Sequence, residues 1–470
     1  MEYIDLENSL KYADSHWDQF VEDFKNLLRI PSVSTDPAYK DDVRRTAEWI
    51  RDEMVRIGLH NCRLLELGGH PAVYGDWLEA GPDRPTILTY AHYDTQPVDP
   101  LDLWITPPFD PSVRDGFIFA RGAIDDKSGV HIHLKAVEAI LMSTGKLPAN
   151  IKFFFEGEEE SGSPTIIPLI HQYKDLLQAD LLVLSDGGCI DDQPYIITST
   201  RGITSAEVKV RGPVIDLHSG SYGGVVYNPA HMVAKMIAAV HAPDGRIQIP
   251  GFYDNVRPLT PAELEYQAGL EEELLKNARL ETGLDDFWGV DGYSFIERQT
   301  ALPTFDVNGL FAGYQGPGTK TIIPSEAGFK VTMRLAADQD PSDICKKFTR
   351  FIKSFEQPGI QVDISTYSES RAVQCLFDGP IVDAIQAVYE TTYGKRAILY
   401  RQGGSVPVMG TMQHELGIPI INLGFGNGKN GHAPNECASL KYLRLDLDTA
   451  IRVYFAYPSS VQKSNPFEPM

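Results

Sequence analysis

The sequence predicts an α/β protein: a doubly wound, mainly parallel sheet interrupted by an inserted α+β domain. Two observations lead there. Short apolar runs alternate with helical stretches over 86–186, and the same alternation resumes after residue 376. Between them the strands alternate in polarity, as half-exposed strands do. At 470 residues the chain is longer than a single core usually supports, so two domains are expected.

Helical periodicity marks "HWDQFVEDFKNLLR" (16–29) and 41–57, where Asp41 or Asp42 can cap the start and Gly58 ends it. "TILTYAHY" (86–93), "IKFFFEG" (151–157) and "DLLVLSD" (180–186) read as strands, separated by helical stretches near 128–143 and 164–177. Strands and helices in that order form a parallel sheet covered on both faces. The near-continuous apolar runs fit strands buried on both sides.

After residue 203 the character changes. "ITSAEVKVRG" (203–212) alternates, a helix follows at 228–241, and a long acidic amphipathic stretch occupies 261–281. Then come "FKVTMRLAA" (329–337), a helix opened by Asp340 and Pro341, and "GIQVDISTYS" (359–368). A smaller sheet with helices on one face is expected. The first pattern returns as helix 378–392, strands 397–403 and 419–426, and a final helix 440–457. The expected domains are therefore 1–202 with 376–470, and an insertion at 203–375.

Lys and Arg total 42 against 64 Asp and Glu, a net charge of −22. That balance argues against nucleic acid or an anionic membrane as a partner, since both call for clustered basic residues. The five cysteines are scattered and form no CxxC pair, which reads as reduced thiols. The N-terminus lacks a basic segment leading into an apolar core, and no run approaches the roughly 18 apolar residues of a membrane span. A cytoplasmic protein is expected.

Four acidic segments follow strands: "AHYDTQP" (91–97), "RGAIDDKSG" (121–129), "EGEEESGS" (156–163) and "LSDGG" (184–188). A fifth, "NGHAPNE" (430–436), lies near the end of the chain. Strand exits at the carboxyl edge of a parallel sheet converge on one crevice. His92, Asp125, Glu160, Asp186 and His432 gathered there would supply two imidazoles and three carboxylates. Crowded carboxylates repel unless divalent cations neutralise them, so the glutamates of 156–160 are read as facing a metal centre. Five ligands suit two ions sharing a carboxylate, and mixed N/O ligation without thiolate fits Zn²⁺, with Mn²⁺ or Co²⁺ as substitutes. Two such ions polarise a carbonyl and activate water. Glu159, adjacent to a ligand, is placed for general base and acid work. Taken singly, each residue reads as an ordinary core histidine, turn aspartate or solvated loop; their conjunction at strand ends carries the inference. His131 and His133, two apart on a helix, point different ways and are given little weight as ligands.

At these residues the sequence resembles the co-catalytic zinc exopeptidases and deacylases that include carnosinase-type dipeptidases, aminoacylase and acetylornithine deacetylase, and most of all the dipeptidase branch. The motifs HYDxQP, RGxxDDK, EGxEExGS, SD and GHxxNE occur in order along nearly the whole chain. The resemblance implies that His92, Asp125 and Asp186 bind one ion, and that Asp125, Glu160 and His432 bind the other. It makes Asp94 the partner that orients His92, Glu159 the catalytic base, and the Asp125–Asp126 peptide cis. In the insertion, "DLHSGSYGG" (216–224) resembles the segment whose histidine stabilises the oxyanion, implying that role for His218. "GTKTIIPSEAGFKVTMRL" (318–335) and "RQGGSVPV" (401–408) imply substrate contacts by Thr321, Arg334, Gly404 and Ser405. A homodimer paired through the inserted lid is implied as well.

Two segments depart from the dipeptidase pattern: "IITSTRG" (196–202) stands where relatives read ITYGLRG, and "TYSESRA" (366–372) lacks a histidine. The expected activity is two-metal hydrolysis of the amide bond in small carboxylate-bearing substrates, foremost dipeptides. The alternatives are an N-acyl- or N-carbamoyl-amino-acid amidohydrolase and, from another class, a binding protein that holds a carboxylate without turnover. Glu159 argues against the last, because a binder needs no proton shuttle.

Overall fold

In the computed structural model, which describes residues 2–185, 189–190, 192–404 and 406–460, the aromatic run Phe153–Phe155 lies inside a wholly buried strand, Asn150–Glu156. This strand runs parallel to Thr86–His92, in a register that ends with His92 opposite Glu156. Leu181–Leu184 continues the parallel order on the far side of Thr86–His92, followed by Ile420–Leu423. Antiparallel strands flank these four: Ala72–Trp77 and His60–Leu65 at one side, Gln193–Thr200 at the other. The parallel centre arises where both faces are apolar, and the half-exposed edge strand His60–Leu65 pairs antiparallel.

The chain divides into two units. One comprises Met1–Thr198, Cys375–Tyr400 and Thr411–Met470; the other comprises Ser199–Gln374 and Arg401–Gly410. The second unit is built on a four-stranded antiparallel sheet in the order Asp306–Ala312, Glu326–Leu335, Gly202–Arg211, Gln361–Ser370. Alternate residues of Gly202–Arg211, among them Ala206, Val208 and Val210, enter a core shared with the helices Pro229–Ala238 and Pro341–Lys353. Asp340 caps the latter helix by accepting from Asp343 N at 3.0 Å. The acidic amphipathic stretch forms two helices, Pro261–Ala268 and Glu271–Thr282, parted at Gly269. Likewise 164–177 splits into Ile166–Gln172 and Lys174–Leu177. No helix among the described residues is long and apolar enough to cross a membrane.

Back in the first unit, the helix Lys127–Thr144 packs on Thr86–His92 beneath the helices Glu2–Ser15 and Leu440–Ser460. Asp126 caps its start, and Gly145, at φ 72°, ends it. Nearly every residue of this helix is buried, including Lys127, His131, His133, Lys135 and Glu138. Each such polar group must be paired or neutral. His133 Nε2 lies 2.7 Å from Ser185 Oγ and its Nδ1 lies 2.9 Å from Tyr454 Oη, which completes both ring nitrogens. His131 packs against the Phe24 ring.

Burial pushes the His133 pKa down to about 3, whereas in an unfolded chain it titrates near 6.5. As pH falls the unfolded chain therefore binds its proton first. The stability contributed by neutral His133 is intact above about pH 6.5 and is lost on acidification toward about pH 3. His133→Gln should be less stable than wild type at about pH 8, and the gap should narrow by up to about 1.4 kcal/mol per pH unit below about 6.5. Urea midpoints of the two proteins across that range provide the check, and a constant gap would contradict it.

Candidate active site

His92 ends its strand with the ring buried and the N–H donated to Asp126 Oδ2 at 3.3 Å. Its Nδ1 lies 3.2 Å from the Asp94 carbonyl oxygen and 3.4 Å from Asp94 Oδ1. Its Nε2 lies 3.0 Å from Asp125 Oδ1. Asp125 stands on the short loop before the helix Lys127–Thr144, and the Asp125–Asp126 peptide is cis. The other oxygen, Asp125 Oδ2, lies 2.7 Å from His432 Nε2. Each oxygen of one carboxylate thus faces a different imidazole.

His432 reaches this point because the strand Cys437–Ser439 pairs with Phe117–Phe119, which sets the loop 430–436 beside the loop 121–125. Asn430, His432 and Asn435 all hold left-handed backbone, with φ of 62°, 61° and 63°. Gly122 at φ 80° needs its missing side chain: a Cβ there would stand 2.6 Å from Thr95 Cγ2. The loops that carry Thr95 and Gly122 pass that close.

Glu160 sits in the 3-10 turn Glu159–Ser161 after the strand Asn150–Glu156. Its Oε2 accepts from Gln96 Nε2 at 2.8 Å. Its Oε1 is buried without a hydrogen bond among the described residues and stands 3.4 Å from His432 Nε2. Asp94 accepts from the backbone N–H of Glu159 at 3.2 Å and of Glu160 at 3.0 Å, so one carboxylate orients both His92 and this turn. The negative charge of Glu159 is felt at His92 and at Tyr90.

The charges are strongly coupled. Burial alone would raise the Asp125 pKa, yet the hydrogen bonds and charges of His432 and His92 hold it well below the carboxylate range. Burial would lower that of His92, yet Asp125 and Asp94 raise it well above the usual imidazole value. The hydrogen bond to Asp125 and the nearby Glu160 carboxylate bring His432 up to about 10. Positive charge is drawn to this point, which is the requirement of a cation site. Asp125, Glu160 and His432 can hold one ion together. Two imidazoles, both Asp125 oxygens and the unpaired Glu160 Oε1 form a mixed N/O donor set that fits divalent cations.

Asp186 and Ser405 lie outside the described residues. His218, Thr321, Arg334 and Gly404 belong to the second unit. There Leu217–His218 pairs with Ile322–Ile323, and Ser219 N donates to the Thr321 carbonyl at 3.0 Å. The exposed His218 accepts from Gly220 N at 3.0 Å through Nδ1. Arg334 is half-buried opposite Ile203 in the sheet, and burial lowers its pKa against the opposing charge of Asp306. Gly404 accepts through its carbonyl from Arg201 N at 3.0 Å.

One expectation needs correction. Of the glutamates in 156–160, two do not face the metal-binding group. Glu156 is buried, accepts from Tyr90 Oη at 2.7 Å and from Ser163 Oγ, and is pushed up to about 8 by burial. Glu158 accepts from His70 N at 2.6 Å, Thr165 N at 2.9 Å and Thr165 Oγ1 at 2.7 Å. Both brace loops; the strand ends at Glu156, and the 3-10 turn Glu159–Ser161 sets Glu160 apart from them. The sequence also gave no role to Gln96, Arg121, Asp126 or Glu436, although all four lie inside the quoted motifs.

Residues 88–458 match peptidase family M20/M25/M40, and the chain belongs to that family. It is 28% identical to the Cys-Gly metallodipeptidase dug1 of Schizosaccharomyces pombe over 98% of this chain and 100% of that protein. It is 28% identical to the human Beta-Ala-His dipeptidase over 92% of this chain and 88% of that protein. Among solved structures, the M20 family metallo-carboxypeptidase Sso-CP2 from Sulfolobus solfataricus matches with a TM-score of 0.82 at 28% identity, over 94% of this chain and 99% of that one.

The two kinds of glutamate separate experimentally. Glu158→Ala strands two backbone N–H groups and should cost about 3 kcal/mol, while the folded variant keeps wild-type metal stoichiometry by elemental analysis. Loss of metal at full stability would place Glu158 among the ligands.

Proposed function

We propose that this chain is a metal-dependent dipeptidase that uses two divalent ions. The observation that carries the reading is Asp125, whose two oxygens face His92 and His432 separately while Glu160 leaves a bare oxygen toward His432. In this reading His92, Asp125 and Asp186 hold one ion, and Asp125, Glu160 and His432 hold the other. Zinc suits the donor set, with manganese or cobalt as substitutes. When bound, the ions polarise the scissile carbonyl and activate water at neutral pH.

The chain's own residues do the rest. Glu159, beside Glu160 and fixed through its N–H on Asp94, takes the proton of the attacking water and delivers it to the leaving amine. Asp94 holds the His92 ring in place through Nδ1. His218 stabilises the tetrahedral oxyanion, and Arg334 takes the substrate carboxylate through its guanidinium fork. Thr321, Gly404 and Ser405 supply further polar contacts to substrate. A homodimer paired through 203–375 and a cytoplasmic setting complete the reading. Its support is the family, the dipeptidase names of its relatives and the donor set.

Glu159→Gln is expected to keep wild-type metal content and lose turnover by about 10²–10⁴-fold. A variant that loses metal instead would exchange the roles of Glu159 and Glu160. Wild type tested with chelator and with restored zinc, on dipeptides beside N-acyl and N-carbamoyl amino acids, fixes the substrate class. Preference for the acylated substrates would move the assignment to an amidohydrolase. Metal-loaded protein inert toward every amide would leave a carboxylate-binding protein, and turnover surviving complete metal removal would overturn the mechanism.

A further inference from the structure

The motif residues left without a role, Arg121 and Glu436, form a buried ion pair at the base of the site. Arg121 is 1% exposed and Glu436 0%, with Nη1 to Oε2 at 2.6 Å. Such burial is costly unless the charges are paired and hydrogen-bonded; Arg121 Nε makes no hydrogen bond among the described residues, while the other contacts of this pair are specific. Glu436 Oε2 also accepts from Gly122 N at 3.0 Å. Its Oε1 accepts from Ile124 N at 2.9 Å and from Asp125 N at 3.3 Å. The Glu436 carbonyl accepts from Ala120 N at 3.1 Å. Arg121 in turn donates through Nη2 to the Pro97 carbonyl at 2.9 Å.

Each of those partners lies on a segment that carries a candidate ligand. Pro97 follows His92 and Gln96 in one loop; Gly122, Ile124 and Asp125 form the second; Glu436 closes the turn that presents His432. Asn435 steadies that turn by accepting from Ile105 N and donating to the Leu103 carbonyl, each at 2.8 Å. Three segments distant in sequence are thus spliced through one guanidinium and one carboxylate. Neither charged group faces an imidazole of the site, so neither is a ligand.

We propose that Arg121 and Glu436 are positioning residues for the metal centre, setting the spacing between the His92, Asp125 and His432 side chains. The inference rests on the reading that these three side chains bind metal. The pair acts through the backbone: the carboxylate anchors the N–H of Asp125 itself, and the guanidinium fixes the far end of the His92 loop. Polar groups that orient ligands in this way typically govern affinity by about 10–100-fold.

Two variants test it, with zinc as the probe. Glu436→Gln leaves Arg121 without its counter-charge and presents a donor where Gly122 N–H and Arg121 need an acceptor. Arg121→Met with Glu436→Gln removes the stranded charge, so the melting temperature of the metal-free protein should recover toward wild type. Zinc affinity, measured by chelator competition, should nevertheless stay about 10–100-fold weak in both, because the amide oxygen cannot serve all the N–H groups that the carboxylate did. Wild-type affinity in either folded variant, or affinity that recovers in step with the melting temperature, would overturn the proposal. If Glu436→Gln does not fold, the double variant decides on the same two readings; failure of both to fold would assign the pair to folding alone and overturn it too. Wild-type protein that binds no zinc would refute the metal centre itself, a different failure from unchanged affinity in the variants.

Discussion

The division of labour among buried carboxylates governs the rest of this structure. Asp94, Asp126, Glu158 and Glu436 spend their oxygens on backbone N–H groups: those of Glu159 and Glu160, of His92 and Gly129, of His70 and Thr165, and of Gly122, Ile124 and Asp125. Dipoles fixed in the fold, joined by Arg121 at Glu436 and by the His92 ring at Asp94, balance their charge. Asp125 and Glu160 are treated differently. Asp125 faces two imidazoles, and Glu160 Oε1 has no hydrogen bond among the described residues. The cation-seeking charge is thereby confined to one point at the end of the parallel strands.

The same rule explains why a second acidic group is no rival. Asp23, Glu53 and Glu138 come close enough to share an ion, but Lys135 already stands among them, at 2.6 Å, 3.4 Å and 2.9 Å. Arg56 adds a further contact to Glu138 at 2.7 Å. A protein cation fills that site, and its work is to hold the helix Lys127–Thr144 against its neighbours. Among the described residues, Lys127 on the same helix meets no carboxylate at contact distance; its Nζ donates to the Leu27 and Ile30 carbonyls at 3.2 Å and 2.6 Å, and burial brings its pKa down to about 7.

Much of the scaffold was legible because it depends on local pattern. "IKFFFEG" is a strand since an unbroken apolar run suits burial on both faces, and Asp340 with Pro341 opens a helix since the cap and the fixed φ are local chemistry. The long acidic stretch reads as amphipathic throughout, and only the structure shows that the chain breaks into two helices at Gly269. The helix Lys127–Thr144 carries charged and histidine side chains yet is buried over most of its length, because its polar residues find partners on other elements. The run of glutamates misled for a similar reason: composition shows that acid is gathered, while only the partners show which acids are already satisfied.

From the sequence alone came the alternation that makes a parallel sheet, the placement of acidic and histidine motifs at strand exits, and the family resemblance, because period and spacing are properties of neighbouring residues. The tertiary structure alone decided that Asp125 would offer one oxygen to each imidazole, that Glu156 and Glu158 would turn away, and that Arg121 would meet a carboxylate 315 positions distant. Such meetings depend on how loops from separate strands close upon one another, and no local pattern encodes that distance.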